Sequence, residues 1–346
     1  MTDISTGTVP RNFLDSGSSA AELPFSEIPV IDFSDIRLGD AEQRKAVGEK
    51  VRNACTKVGF FYVKNHGFSS STTKEAFVQS RIFFEEDLEK KRLISVENSP
   101  ALRGYTALLA SEHDDSGQAD FHEGFDMALD LNEDDPDVRS GIFGYAPNQW
   151  PDGMPFFKEA LVNYHSEMVT FGKLIFRAFA LALDLKEDYF EDSITKPMAH
   201  MRVLHYPPQD AKSDKDQIGI GAHSDFECFT ILCTDEVPAL QVLSPDGNWV
   251  HAPPLKDCFI VNVGDLMARW TNNYFKSTVH RAINLSGRQR YSIPFFYGPN
   301  SKMIIRTIPT CLKDGADEIF EPIEAGQYIK SRFDDSYSHR IDEETE

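Results

Sequence analysis

One stretch, 218–232 (I-G-I-G-A-H-S-D-F-E-C-F-T-I-L), limits what this chain can fold into more than any other. It is apolar and β-prone, yet it carries His223 and Asp225 two residues apart. Alternate residues of a strand point to one face, so the two side chains look the same way, about 7 Å apart along the chain. That spacing suits two ligands of one metal ion. A third ligand is expected on a later strand, and the best candidate is His280 in K-S-T-V-H-R-A-I, 55 residues after Asp225. Two His and one carboxylate on one face leave three coordination positions open, the arrangement that non-haem Fe(II) uses for oxygen chemistry.

Ten residues after His280 comes Arg290-Tyr291-Ser292, and the strand continues I-P-F-F-Y. Arg290, Ser292, Pro294 and Phe296 then share a face. An Arg fork with a hydroxyl two residues on can clamp a carboxylate, because Arg binds it bidentately and keeps its charge. Such a clamp beside iron points to an α-keto acid co-substrate that chelates the metal. Zinc is the chemical rival, but it favours closed tetrahedral sites or three ligands and a water, and a zinc hydrolase has no use for the clamp.

The order H-x-D, then His280, then R-x-S resembles the isopenicillin N synthase-like family of Fe(II)/2-oxoglutarate-dependent dioxygenases. P-V-I-D-F at 29–33 is similar to that family's opening, and G-F-F-Y-V-K-N-H-G at 59–67 to its next strand. R-V-L-H-Y-P-P at 202–208 and V-N-V-G-D at 261–265 match two further segments. The likeness covers roughly 28–335. It implies Fe(II), 2-oxoglutarate and O2, with ascorbate as an optional reductant. It implies that Arg290 and Ser292 bind the distal carboxylate of 2-oxoglutarate, with Tyr206 as a further donor. The family often has Asn two residues before that Tyr, where this chain has Leu204, which offers no hydrogen bond. Arg202 shares the face of Leu204 and Tyr206 and is the alternative contact for the metal-bound end of the co-substrate.

Lys plus Arg number 35 and Asp plus Glu 55, a net charge of −20, which argues against nucleic acid or an acidic membrane as partner. No apolar run approaches a membrane span, and no signal-peptide pattern opens the chain. Five scattered cysteines without C-x-x-C are expected as buried thiols, and a reducing cytoplasm suits both them and Fe(II). The oligomeric state is not legible.

In chain order, 1–27 has no hydrophobic period and is expected as a flexible tail. Residues 28–335 are expected as a single domain: a helical N-terminal layer and lid (28–197), a jelly-roll core (198–310) and a closing helix (311–335), before an acidic tail (336–346). Helices are expected over 41–58, 74–93 (capped by Ser71 or Thr73), 155–185 and 187–193, and a closing one at 318–333. The charged run 85–92 is expected to be a solvated helix face. Residues 98–153, rich in Gly, Pro, Asp and Asn, are expected to hold a lid, with an acidic loop at 112–116 and a strand at 120–128. From 199 the pattern turns to short strands: 199–206, 218–224, 228–234, 239–243, 248–251, 257–263, 266–271, 278–284, 290–297 and 302–306. Regular spacing with turn signals between them predicts a double-stranded β-helix, or jelly roll, inside a mainly β, α+β fold.

For a small-molecule substrate, Phe296, Phe226, Arg103, Tyr105 and Leu204 are the expected pocket residues. The apolar floor favours a substrate with a hydrophobic or planar body and one polar or acidic handle, and Arg103, with Glu123, is the expected source of the fixed charge that meets the handle. His66, His165, His200 and His251 are expected as surface or satisfied core residues. The reading is an oxygenase that oxidises a C–H bond with release of succinate and CO2, by hydroxylation, desaturation or ring closure. Two rivals are an iron oxidase that spares 2-oxoglutarate and an ethylene-forming enzyme. The latter is suggested by H-M-R-V-L-H-Y-P-P-Q at 200–209, although Phe226 stands where those enzymes have Tyr.

Overall fold

The computed structural model describes residues 28–110, 120–209, 218–312 and 317–338. The expected tail at 1–27, the acidic loop at 112–116 and the chain beyond 338 lie outside the described residues. Eight helices of α type are described: α1 (Ser34–Leu38), α2 (Ala41–Lys57), α3 (Ser70–Phe84), α4 (Leu88–Arg92), α5 (Pro136–Arg139), α6 (Pro155–Ala182), α7 (Asp265–Trp270) and α8 (Ala325–Ser338). The strands are β1 (Val30–Asp32), β2 (Phe60–Lys64), β3 (Gly104–Thr106), β4 (Glu123–Met127), β5 (Pro197–Tyr206), β6 (Ile220–His223) and β7 (Phe229–Thr234). They continue with β8 (Leu240–Leu243), β9 (Trp249–His251), β10 (Cys258–Val263), β11 (His280–Ala282), β12 (Arg290–Asn300), β13 (Ile304–Ile305) and β14 (Ile323–Glu324).

Two sheets form the roll. The larger has eight strands in the order β1-β2-β10-β7-β12-β5-β4-β3, and the smaller has four, β6-β11-β8-β9. The region before 197 is therefore more than a helical layer, because β1 to β4 extend the large sheet at both edges.

Alternation along β12 decides which side does what. Tyr291, Ile293, Phe295 and Tyr297 face outward into the main core with α2, α3 and α6. Burying each such side chain stabilises the fold by about 1.5–3 kcal/mol. Gly172 of α6 makes this contact possible, since a Cβ there would fall 2.2 Å from the Tyr297 ring. Arg290, Ser292, Pro294 and Phe296 face the interior of the roll. Helix α6 starts at Pro155, where a missing N–H costs nothing. Helix α2 starts at a capping box in which Asp40 and Gln43 exchange hydrogen bonds.

Several local expectations are corrected. Residues 266–271 form a helix, not a strand. A short apolar run reads alike in both states, and here the first N–H groups are taken by the loop that follows β6: Asp265 N donates to Asp225 O (2.7 Å) and Leu266 N to Phe226 O (3.1 Å). The helix expected at 74–93 starts at Ser70, capped by Ser69, and breaks after Phe84. The second piece, α4, turns Lys91 inward, so the charged run is not wholly solvated: Lys91 Nζ bonds Glu123 Oε2 at 2.8 Å and Phe84 O at 2.8 Å. Residues 187–193 give only a 3-10 turn, Glu191–Ile194. The closing helix begins at Ala325, because Ile323–Glu324 pairs with β13, and it runs on to Ser338.

Candidate metal centre and co-substrate site

His223 ends β6 and His280 opens β11, and the two are direct partners across the small sheet. Their ring centroids lie 4.3 Å apart. Asp225 follows in the loop after β6. Its Oδ1 is 3.6 Å from Nε2 of each His. One ligand atom from each of the three residues lies within 4.8 Å of the others. Among the described residues this is the one such cluster of His, Cys, Asp or Glu.

The tautomers suit a metal. His223 Nδ1 is 2.8 Å from Gly221 O, and His280 Nδ1 is 3.1 Å from Thr278 O. A carbonyl only accepts, so each Nδ1 carries the proton and each Nε2 offers its lone pair inward. Asp225 is held as firmly. Its Oδ2 accepts from Asn262 Nδ2 at 2.7 Å and from the Thr230 hydroxyl, which leaves Oδ1 for the ion. Burial opposes ionisation of Asp225, but His280, His223 and these two donors hold its carboxyl below the usual range. Two imidazole nitrogens and one carboxylate oxygen fit Fe(II) with open positions.

The clamp lies on the facing sheet. Arg290 pairs with Tyr206 and Ser292 with Leu204 across β12 and β5. Arg290 Nη1 donates to Ser292 Oγ (3.3 Å), Ser292 Oγ donates to Tyr206 Oη (3.5 Å), and the guanidinium sits 4.6 Å from the Tyr206 ring centroid. Arg290 is 2% exposed, and no carboxylate lies within ion-pair reach of it among the described residues. A buried cation left so is costly, and a bound carboxylate removes the cost. Leu204 and Tyr206 pack with Ile220 and Ala282 in a small apolar cluster beneath this site.

The pocket residues divide. Phe296 lies inward, opposite Thr230 on one side and His200 on the other. Phe226 packs edge-on against Phe333 of α8 (5.8 Å) under the Arg332 guanidinium (5.2 Å). Tyr105 is a correction. Gly104, not Tyr105, shares the inner face with Asp126, so Tyr105 points outward, packs on Phe83 and donates to Glu123 Oε2 at 2.6 Å. Glu123 points the same way and does not face the substrate, since His205 and Lys91 hold its carboxylate in the outer layer. Arg103 is displaced from the expected role of a substrate contact. It is buried, with its Nη atoms on Ala101 O, Gly144 O and His200 Nδ1. Arg202 is bound to Asp126, Nε to Oδ1 2.9 Å.

Sequence reasoning missed Thr230, Asn262, Asp126 and the part played by His200. The first two sit on strands that the sequence does reveal, but only the pairing Asn262↔Thr230↔Phe296 shows that they meet Asp225. Glu227, also missed, is fully buried. Burial and the nearby Asp225 push it up to about 8. The expected lid touches the metal strand: Phe121 N bonds Ile218 O, and Asp120 Oδ1 accepts from Gly221 N. None of the five cysteines forms a disulfide.

Comparison with known proteins agrees with this geometry. Residues 28–153 match the N-terminal region of the non-haem dioxygenases of morphine synthesis, and residues 197–299 match the 2OG-Fe(II) oxygenase superfamily. The chain is 35% identical over 315 residues to the 2-oxoglutarate-Fe(II) type oxidoreductase hxnY of Emericella nidulans, covering 89% of this chain and 90% of that one. It is 35% identical over 320 residues to kihadalactone A synthase LFS of Citrus sinensis, covering 89% and 93%. Among solved structures, a full-length Neurospora crassa protein in complex with alpha-KG and thymine superposes with a TM-score of 0.80 at 29% identity, over 92% of this chain and 100% of that one. The chain belongs to the 2OG-Fe(II) oxygenase superfamily, and the jelly-roll expectation is borne out. It is an Fe(II)- and 2-oxoglutarate-dependent oxidoreductase, with O2 as the oxidant. No helix is long and apolar enough to cross a membrane among the described residues.

Proposed function

We propose that this oxygenase oxidises a C–H bond of a small metabolite with a planar or apolar body, using His223, Asp225 and His280 to hold iron and Arg290, Ser292 and Tyr206 to hold the distal carboxylate of 2-oxoglutarate. The observation that carries the reading is the pairing of a three-ligand cluster on one sheet with a buried guanidinium on the facing sheet that makes no ion pair among the described residues. Bound iron and co-substrate supply the oxidising power, with succinate and CO2 as co-products.

The chain's own residues supply position. The Nδ1–carbonyl bonds aim both imidazoles, and Thr230 with Asn262 restricts Asp225 to one coordinating oxygen. The clamp fixes the far end of the co-substrate, so the keto acid meets the metal in one orientation. Phe296 and Phe226 are the apolar surfaces on which a ring can lie, and the Neurospora crassa neighbour, solved with thymine, is a relative that binds a flat molecule. Cysteines without disulfides and a need for ferrous iron suit a reducing compartment such as the cytoplasm.

The test is substrate-stimulated succinate release across a panel of flat and alicyclic small molecules, with iron content measured in parallel. His223→Ala and Asp225→Ala are expected to lose iron and turnover together. Wild-type turnover in either variant would remove these residues from the metal site.

A further inference from the structure

Glu227 is a buried acid without a side-chain partner among the described residues. It follows Phe226 in the loop between β6 and β7 and is 6% exposed. Its carboxyl group meets its own backbone N–H, and the charges of Asp225, Arg103 and Asp265 act on it from further away. The two neighbouring acids do have partners. Asp225 Oδ2 takes Thr230 and Asn262. Asp265 Oδ2 accepts from Ser224 at 3.0 Å, and the Arg332 charge favours its ionised form. Arg103 is engaged elsewhere, with its Nη atoms on Ala101 O, Gly144 O and His200 Nδ1. A buried acceptor left in this state is costly, and a ligand that donates to it removes the cost.

Strand β12 sets where this acid stands. Phe296 and Gly298 follow Arg290, Ser292 and Pro294 on the inner face. Tyr297, between them, turns outward against Gly172. Gly298 brings no side chain of its own, and Glu227 lies over it: a Cβ at 298 would stand 3.5 Å from Glu227 Cγ. The inner row therefore runs from the clamp, past the ring of Phe296, to the carboxyl of Glu227. The last step, from Phe296 to Gly298, is roughly 7 Å along the strand. Thr230, which holds Asp225, is the cross-strand partner of Phe296, so the metal ligands stand beside the middle of this row. A molecule lying on Phe296 then has the metal at its side and Glu227 at the end remote from the clamp.

We propose that Glu227 selects the primary substrate by accepting a hydrogen bond from an N–H group at that remote end. The inference rests on the function proposed above and deepens it: the substrate is a nitrogen compound whose body lies on Phe296 and Phe226. An amine and a heterocycle with a ring N–H are the two sources of such a donor. A carboxyl group keeps an acceptor oxygen whether or not it is ionised, so the contact does not depend on how Glu227 titrates. Asp225 and Asp265 add negative charge nearby, which disfavours an acidic substituent at this end.

The experiment uses the iron-loaded enzyme without oxygen and with saturating 2-oxoglutarate. Calorimetry measures two pairs of probes, benzylamine with benzyltrimethylammonium and indole with 1-methylindole. The second member of each pair lacks the N–H. The wild-type enzyme is expected to prefer the N–H member at least tenfold, in the first pair if the donor is an amine and in the second if it is a ring N–H. Glu227→Leu should abolish that preference. Glu227→Gln keeps an acceptor oxygen without the charge, so it should abolish the preference for benzylamine and reduce that for indole. It also carries the test if Glu227→Leu does not fold. Equal affinity, or none, for both members of both pairs in the wild type overturns the proposal, as does a preference that survives unchanged in the Glu227 variants. A wild-type enzyme that fails to bind 2-oxoglutarate would instead overturn the function on which the proposal rests.

Discussion

Removing the two donors on Asp225 Oδ2 is expected to weaken iron without touching a ligand. Thr230→Val keeps the shape of the side chain and deletes the hydroxyl, and Asn262→Leu deletes the amide that lies 2.7 Å from Oδ2. A hydrogen bond to a charged group contributes about 1.5–3 kcal/mol. Without it the carboxylate rotates more freely and no longer presents Oδ1 alone. Losing an outer partner of a metal ligand typically lowers affinity about 10–100-fold, which at about 1.4 kcal/mol per tenfold agrees with the hydrogen-bond figure. Both donors meet the same oxygen, so the double variant should fall short of the sum of the singles. The assay is anaerobic titration with Fe(II), with Mn(II) as a redox-silent check and thermal unfolding of the metal-free protein as the folding control. Metal affinity equal to wild type in both single variants would refute the idea that these bonds hold the ligand in place.

Three further outcomes follow from the geometry. Arg290→Leu should weaken 2-oxoglutarate by about 3–5 kcal/mol, because a bound carboxylate is left buried and unpaired; an unchanged KM for 2-oxoglutarate would discard the clamp. Phe296→Ala should raise the KM of the primary substrate more than that of 2-oxoglutarate, since Phe296 lies beyond the clamp on the same strand face, and the reverse ranking would misplace the pocket. Lys91→Met should destabilise the fold by about 3 kcal/mol at neutral pH, by leaving Glu123 without its buried cation. Burial opposes ionisation of Glu123, but His205, Lys91 and Tyr105 together hold it below its usual value of 4.5. Its contribution is therefore complete above that value and lost as pH falls through the lower folded value. Urea titrations from pH 7 to pH 3 should show wild type and variant converging at the acid end, and a constant gap would contradict the assignment.

The metal ligands and the clamp were legible because they depend on period-2 alternation within single strands and on short spacings. Arg290 and Ser292 need nothing more, whereas Asp225 follows His223 in the loop after β6 and is held toward the His pair by Thr230 and Asn262. Tyr105 and Glu123 were misplaced because their phase is set by how β3 and β4 register against β5, and a shift of one residue reverses every side chain. The contacts of Asp126 with Arg202 and of His200 with Arg103 were invisible for the same reason: they join β4, β5 and the residue before β3 through pairing that no local pattern encodes. Helix α7 was read as a strand because carbonyls of the 225–227 loop, not its own residues, decide its backbone.

Strand β12 is also a constraint on how such a protein can diversify. Its odd-numbered residues from Tyr291 to Tyr297 belong to the scaffold and its even-numbered ones from Arg290 to Phe296 to the chemistry. Replacements at even positions beyond the clamp are free to change what is bound while the scaffold goes unaltered. A one-residue insertion or deletion would exchange the two sets, carrying the guanidinium into the helical layer and aromatic rings into the cavity. New substrates are therefore reached here by exchanging side chains at fixed length, and length itself is free to vary only in the loops that join the strands.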